Sequence, residues 1–73
     1  MKTIQLQSVG RVPATVAKNI VVGSKLMWNF GYVNEVIQVE YSKTGKTMVI
    51  TEKTPEGKEY KRRLGINRLV AII

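Results

Sequence analysis

The chain of 73 residues contains no cysteine, no histidine and no aspartate. Without cysteine there is no disulfide framework and no thiolate metal site. Without histidine, the commonest metal ligand and the usual general base near neutral pH are both missing. The five glutamates are scattered along the sequence, and no glycine-rich phosphate-binding motif occurs. We therefore expect a protein that is not an enzyme and that binds no cofactor or metal.

Long apolar runs are also missing. Residues 3–7 alternate between polar and apolar side chains and do not resemble a signal peptide. No run approaches the roughly 20 apolar residues that a membrane-spanning helix needs. We expect a soluble cytoplasmic protein without a membrane partner. A chain of this length supports one hydrophobic core, and it shows no linker and no repeat, so residues 1–73 are predicted to form a single domain.

Positive charge is abundant. Twelve lysines and arginines against five acidic residues give a net charge of +7. Such a charge on a small domain attracts polyanions and gives nucleic acid a non-specific electrostatic contact. The alternative is a charge that serves solubility alone.

The densest positive charge lies at residues 58–64, which read as one strand. Side chains alternate across a strand, so Tyr60, Arg62 and Leu64 share one face. We expect Tyr60 and Leu64 to enter the core, with Arg62 on the same side. Lys61 and Arg63 share the opposite face and are predicted to meet solvent.

Short segments bounded by glycine or proline predict further β-strands. The predicted strands cover residues 2–8, 26–30, 32–41, 47–53, 58–64 and 69–73. Residues 13–19 are predicted to form one or two helical turns. Tight turns are predicted at residues 42–46, 54–57 and 65–68.

Two charged residues fall out of phase with the apolar pattern. Glu35 interrupts the strand at 32–41, and Arg62 lies on the core side of the strand at 58–64. Burying an unpaired charge is costly. We therefore expect either a bulge near Asn34 that turns Glu35 outward, or an ion pair between Glu35 and Arg62 at the rim of a barrel.

From Val22 to Ile72 the order of elements resembles the small Src-homology-3-like barrels of KOW, Tudor-like and related bacterial modules. The matching features are the entry at residues 22–25, two hairpins, and the short turn at 65–68 before a last strand. The resemblance implies an all-β fold, a five- to six-stranded barrel with a short helical turn. Residues 20–73 would form the barrel, and residues 1–19 an N-terminal strand and turn. In size and style the chain is also similar to accessory proteins of bacterial phages and mobile elements.

The expected function is nucleic-acid binding, with DNA and RNA both open, through cationic side chains beside aromatic rings. The candidate contact residues are Lys61, Arg63, Arg68, Lys58, Lys46, Lys25, Tyr32 and Asn29, with Tyr41 as a further stacking candidate. For Lys61 and Arg63 the alternative is a solvated face that protects a sheet edge.

A protein-interaction module is the alternative function. An aromatic groove lined by Trp28, Phe30, Tyr32 and Tyr60 would then dock a host or partner protein, as a phage accessory protein would. For Trp28 and Phe30, packing in the core competes with this role. A third alternative is assembly of a homo-oligomer through the apolar strand at residues 69–73.

Overall fold

The computed structural model describes residues 2–73, which form seven antiparallel strands in one sheet. The strands are β1 (Lys2–Leu6), β2 (Gly10–Val16), β3 (Lys25–Met27), β4 (Val33–Tyr41), β5 (Thr47–Lys53), β6 (Glu59–Gly65) and β7 (Leu69–Ile72). Two short 3-10 turns, Ala17–Asn19 and Asn29–Gly31, are the only helical segments among these residues. No helix in residues 2–73 is long and apolar enough to span a membrane. The predicted all-β class is confirmed.

The sheet is open rather than closed into a barrel. Its strand order is β1-β2-β7-β3-β4-β5-β6, so β1 and β6 are both edge strands. The predicted barrel of five to six strands is therefore wrong. In this sheet β2 and β3 occupy the two edges of β7, and the edge strands β1 and β6 do not pair with each other.

The segment at residues 13–19 was predicted to be helical, and this prediction is wrong for most of its length. Thr15 and Val16 are β-branched residues that favour strands, and both lie in β2. Pro13 pairs with Thr3 of β1, whereas pairing with β7 begins at Ala14. Proline is tolerated because its missing N–H falls where β2 has a partner on one side only. Only the turn Ala17–Asn19 is helical.

The core lies against one face of the sheet and contains side chains from most of its strands. The buried cluster comprises Ala17, Ile20, Leu26, Val36, Met48, Ile50, Leu64 and Val70. Leu64 is buried as predicted, but Tyr60 is 52% exposed because the start of β6 extends past the edge of the core. Phe30, also predicted to face the core, is 58% exposed, since β3 ends at Met27 and the chain turns before reaching it.

A bulge in β4 resolves the phase of Glu35. The register between β4 and β5 shifts between Val36 and Gln38, later than the predicted position near Asn34. Val36 is fully buried and Glu35 is exposed. The extra residue lets both halves of the strand direct apolar side chains to the core.

The C-terminal strand lies inside the sheet. Pairing with β2 and β3 fills both edges of β7, and Val70 and Ala71 are buried. β7 therefore presents no free edge for the homo-oligomer predicted through residues 69–73, and within that run only Ile73, beyond the strand, is largely exposed.

Two of the predicted turns contain a glycine that can be compared directly, Gly45 at residues 42–46 and Gly65 at residues 65–68. Gly45 has a φ of +73°, whereas Gly65 has no positive φ, and a Cβ at either position would meet open space. We expect Gly45→Ala to lower the free energy of unfolding by about 1–2 kcal/mol, because a left-handed backbone strains an L-residue. Gly65→Ala should be neutral or stabilising by about 0.5–1 kcal/mol. Urea denaturation of both variants checks this, and equal losses would contradict it.

Candidate functional site

A groove opens between the β3–β4 loop and the β5–β6 hairpin, at one end of the sheet. Its volume is about 860 Å³. Aromatic and basic side chains line it: Trp28, Tyr32, Tyr60, Arg62 and Lys58, together with Pro55 and Glu56. Exposed aromatic rings and cations meet in this groove.

The β3–β4 loop forms one wall of the groove. The N–H of Trp28 donates to the carbonyl oxygen of Tyr32 at 2.7 Å, and the N–H of Gly31 donates to that of Trp28 at 3.1 Å. The chain reverses through left-handed conformations at Phe30 (φ 66°) and Gly31 (φ 81°). The tight turn leaves Tyr32 69% exposed beside Trp28.

The β5–β6 hairpin forms the other wall. The N–H of Thr54 donates to the carbonyl oxygen of Lys58 at 2.8 Å, and Gly57 closes the turn with a φ of +90°. The predicted turn at residues 54–57 is confirmed. Because β6 starts directly after it, Lys58 and Tyr60 stand at the rim of the groove.

A buried carboxylate lies under the groove. Glu52 follows Met48 and Ile50 on the core face of β5, and its side chain has no exposed surface. Its Oε1 accepts a hydrogen bond from Nε1 of Trp28 at 2.5 Å, and its Oε2 accepts one from Nε of Arg62 at 2.9 Å. The guanidinium carbon of Arg62 lies 3.9 Å from the centroid of the Trp28 ring. We call these three residues the Trp28–Glu52–Arg62 unit.

In the Trp28–Glu52–Arg62 unit, a buried carboxylate is stabilised by two hydrogen bonds and by one ion pair. Removing a carboxylate from water is costly unless its oxygens are hydrogen-bonded and its charge is paired. Here both oxygens have a donor, and the pairing cation stacks on the same indole that donates the other hydrogen bond. Since the Arg62 side chain is 41% exposed, the cation keeps part of its hydration while Glu52 does not.

Arg62 faces the core side as predicted, but its partner was not foreseen. The expected ion pair with Glu35 is wrong, because Glu35 is exposed and Arg62 bonds to Glu52. The signal was present in the sequence, since Glu52 continues the phase of Met48 and Ile50. When two opposite charges lie on the inward side of the two strands of one hairpin, they are expected to form an ion pair.

The predicted contact residues Lys61 and Arg63 are exposed on the outer face of β6. As β6 is an edge strand, that face and the groove lie on the two sides of the same strand. The structure therefore brings Lys58 and Tyr32 together in the groove, whereas Lys61 and Arg63 follow along the opposite face of the same edge strand.

The remaining candidates lie elsewhere. Lys25 is on β3, opposite Glu35 of β4. Lys46 precedes β5, at the end of that strand away from the groove, and Arg68 precedes β7 and lines a separate, smaller cavity together with Trp28 and Asn29. The Asn29 side-chain oxygen accepts a hydrogen bond from the Gln7 N–H at 2.9 Å, which ties the β3–β4 loop to the first hairpin. The Tyr41 hydroxyl, the further stacking candidate, donates to the Lys18 carbonyl oxygen at 3.3 Å, also outside the groove.

No protein-family model, no curated protein and no solved structure matches this chain.

The Trp28–Glu52–Arg62 unit makes an asymmetric stability prediction. Arg62→Met leaves the buried Glu52 carboxylate without a cation and should lower the free energy of unfolding by about 3 kcal/mol. Glu52→Gln leaves a half-exposed Arg62 that water can solvate, and it should cost less, about 1 kcal/mol.

Urea denaturation measures both changes. Lys61→Met, on the outer face of the same strand, is the control and should lie within about 0.5 kcal/mol of the parent. A larger loss from Glu52→Gln than from Arg62→Met would contradict the asymmetry.

Proposed function

We propose that this protein is a non-catalytic module that binds single-stranded nucleic acid, with bases in the groove and phosphates along β6. The observation that carries the proposal is the pair of exposed tyrosines, Tyr32 and Tyr60, on either side of a groove that also contains Lys58 and Arg62. Aromatic rings beside cations provide stacking for bases and contacts for the backbone.

Charge supports the same proposal. Residues 58–63 contain four basic residues and one glutamate, and they lie on an edge strand that a ligand reaches from the side. The outer face contributes Lys61 and Arg63, and Lys58 stands at the rim of the groove, whereas the charge of Arg62 is paired with Glu52. Neutralising phosphates with such side chains releases counterions, so binding weakens as salt rises.

A single strand suits the groove better than a duplex. The rings of Tyr32 and Tyr60 offer their faces to bases that are free to leave a stack. In a duplex the bases are stacked on each other, and a protein reads only their edges in the grooves. We therefore expect duplex DNA to bind through its phosphates alone, and more weakly.

One observation favours a second candidate, the docking of a partner protein. The free edge of β6 runs beside the aromatic groove, and an extended peptide pairs with such an edge while its side chains enter adjacent pockets. The cations of β6 would select an acidic segment, as in a phage accessory protein that docks a host protein. For either function we expect the protein to act in the cytoplasm.

Polarisation titrations with labelled single-stranded and duplex oligonucleotides, at about 50 and 200 mM salt, test the proposal. We expect Lys61→Glu with Arg63→Glu to weaken single-strand binding at least about tenfold. The double variant should also reduce the slope of log K against log salt by about 1.4, because each phosphate contact on a single strand contributes about 0.7.

The matched control is Lys2→Glu with Arg11→Glu, the same charge change on the first hairpin at the far side of the sheet. It should retain most of the affinity. If the two double variants lose affinity equally, β6 is not the contact surface. If the parent binds no oligonucleotide at low salt, the nucleic-acid function is wrong and the protein-docking candidate takes its place.

A further inference from the structure

Building on the proposed nucleic-acid function, we infer that Arg62 reads a base in the groove and that the base it selects is guanine. Arg62 was assigned no contact role by the sequence pattern, which placed the contacts on Lys61 and Arg63. The inference rests on how the Arg62 guanidinium is held and on which of its N–H groups remain available.

The guanidinium is held in place before any ligand arrives. Nε donates to Glu52 Oε2 at 2.9 Å, and the guanidinium carbon lies over the Trp28 ring, 3.9 Å from its centroid. Glu52 is itself fixed by burial and by Trp28 Nε1. When a ligand binds, the Arg62 side chain therefore loses little conformational entropy. The solvated side chains of Lys61 and Lys58 would lose more.

The anchoring leaves the two terminal nitrogens available. Among residues 2–73, the guanidinium makes a single hydrogen bond, the one from Nε to Glu52. Nη1 and Nη2 thus have their N–H groups unused, and the side chain is 41% exposed and lines the groove. Two adjacent donor nitrogens on a rigid plane match two adjacent acceptors on a ligand.

Guanine fits this arrangement better than a phosphate does. Its O6 and N7 are paired acceptors, and arginine engages them in a bidentate manner. The charge of Arg62 is already offset by Glu52, which weakens its attraction for an anion but leaves its hydrogen-bond donors intact. The groove also presents Tyr32 and Tyr60, whose rings stack on a base and not on a phosphate.

The first experiment uses the unmodified protein. We expect an oligothymidine with one central guanine to bind about tenfold or more tightly than the all-thymine strand, as one bidentate arginine–guanine pair provides. Replacing that guanine with 7-deazaguanine, which lacks the N7 acceptor, should remove most of the gain. Inosine keeps O6 and N7 and should retain it.

The second experiment uses variants. Arg62→Lys keeps the charge but not the paired donors, so the ratio of the affinities for the guanine-containing and all-thymine strands should fall to about one. Arg63→Lys, the neighbour on the outer face, is the control and should keep the preference. Thermal unfolding of both variants establishes that they are folded, and the 7-deazaguanine result stands without them.

The outcomes separate this inference from the proposed function. If the all-thymine strand binds and guanine gives no gain, Arg62 does not read a base, although the protein still binds single strands. If Arg62→Lys weakens all strands equally, Arg62 contacts phosphate and the inference is overturned. If no strand binds at all, the proposed function fails together with it.

Discussion

The structure depends on a carboxylate that is removed from water. Glu52 occupies the end of an otherwise apolar row on β5, and a buried charge there is tolerated only with two well-placed donors. Trp28 and Arg62 come from elements far apart in the chain, the β3–β4 loop and β6, and both must converge on Glu52. The requirement fixes the loop against the hairpin, and the gap that remains above the contact is the groove.

The open sheet gives β6 two accessible faces. On one, Leu64 enters the core while Arg62 and Tyr60 line the groove. On the other, Lys61 and Arg63 stand in solvent. In a closed barrel a further strand would cover the edge between them. The edge carries basic side chains, which also discourage pairing with a second copy, because like charges directly opposite destabilise a sheet. The same residues thus keep the edge free, and in the proposed function they are the ones that contact phosphate.

Local patterns in the sequence predicted the local structure well. The strand at 47–53, the turn at 54–57 and the inward side of Arg62 follow from alternation and turn residues, which act over a few positions. Pairing between distant strands is set by packing, which alternation does not encode. The strand character of β2 therefore depends on β1 and β7 as partners, and the absence of a closed barrel follows from edge strands β1 and β6 that do not pair with each other. For the site, Tyr32 was predicted from its type, whereas Glu52 was missed because the pairing of Arg62 was sought on β4 rather than across its own hairpin.

The position of β7 has a consequence for how the chain folds. The hairpin β1–β2 and the meander β3–β6 are built from contacts close in sequence, but in the sheet order they are joined by β7, the last strand of the seven to be synthesised. Until Leu69–Ile72 inserts between them, two part-sheets carry their apolar inner faces uncovered. Completion of the core is then a late step of high contact order, slower than either half and exposed to misassembly while it waits.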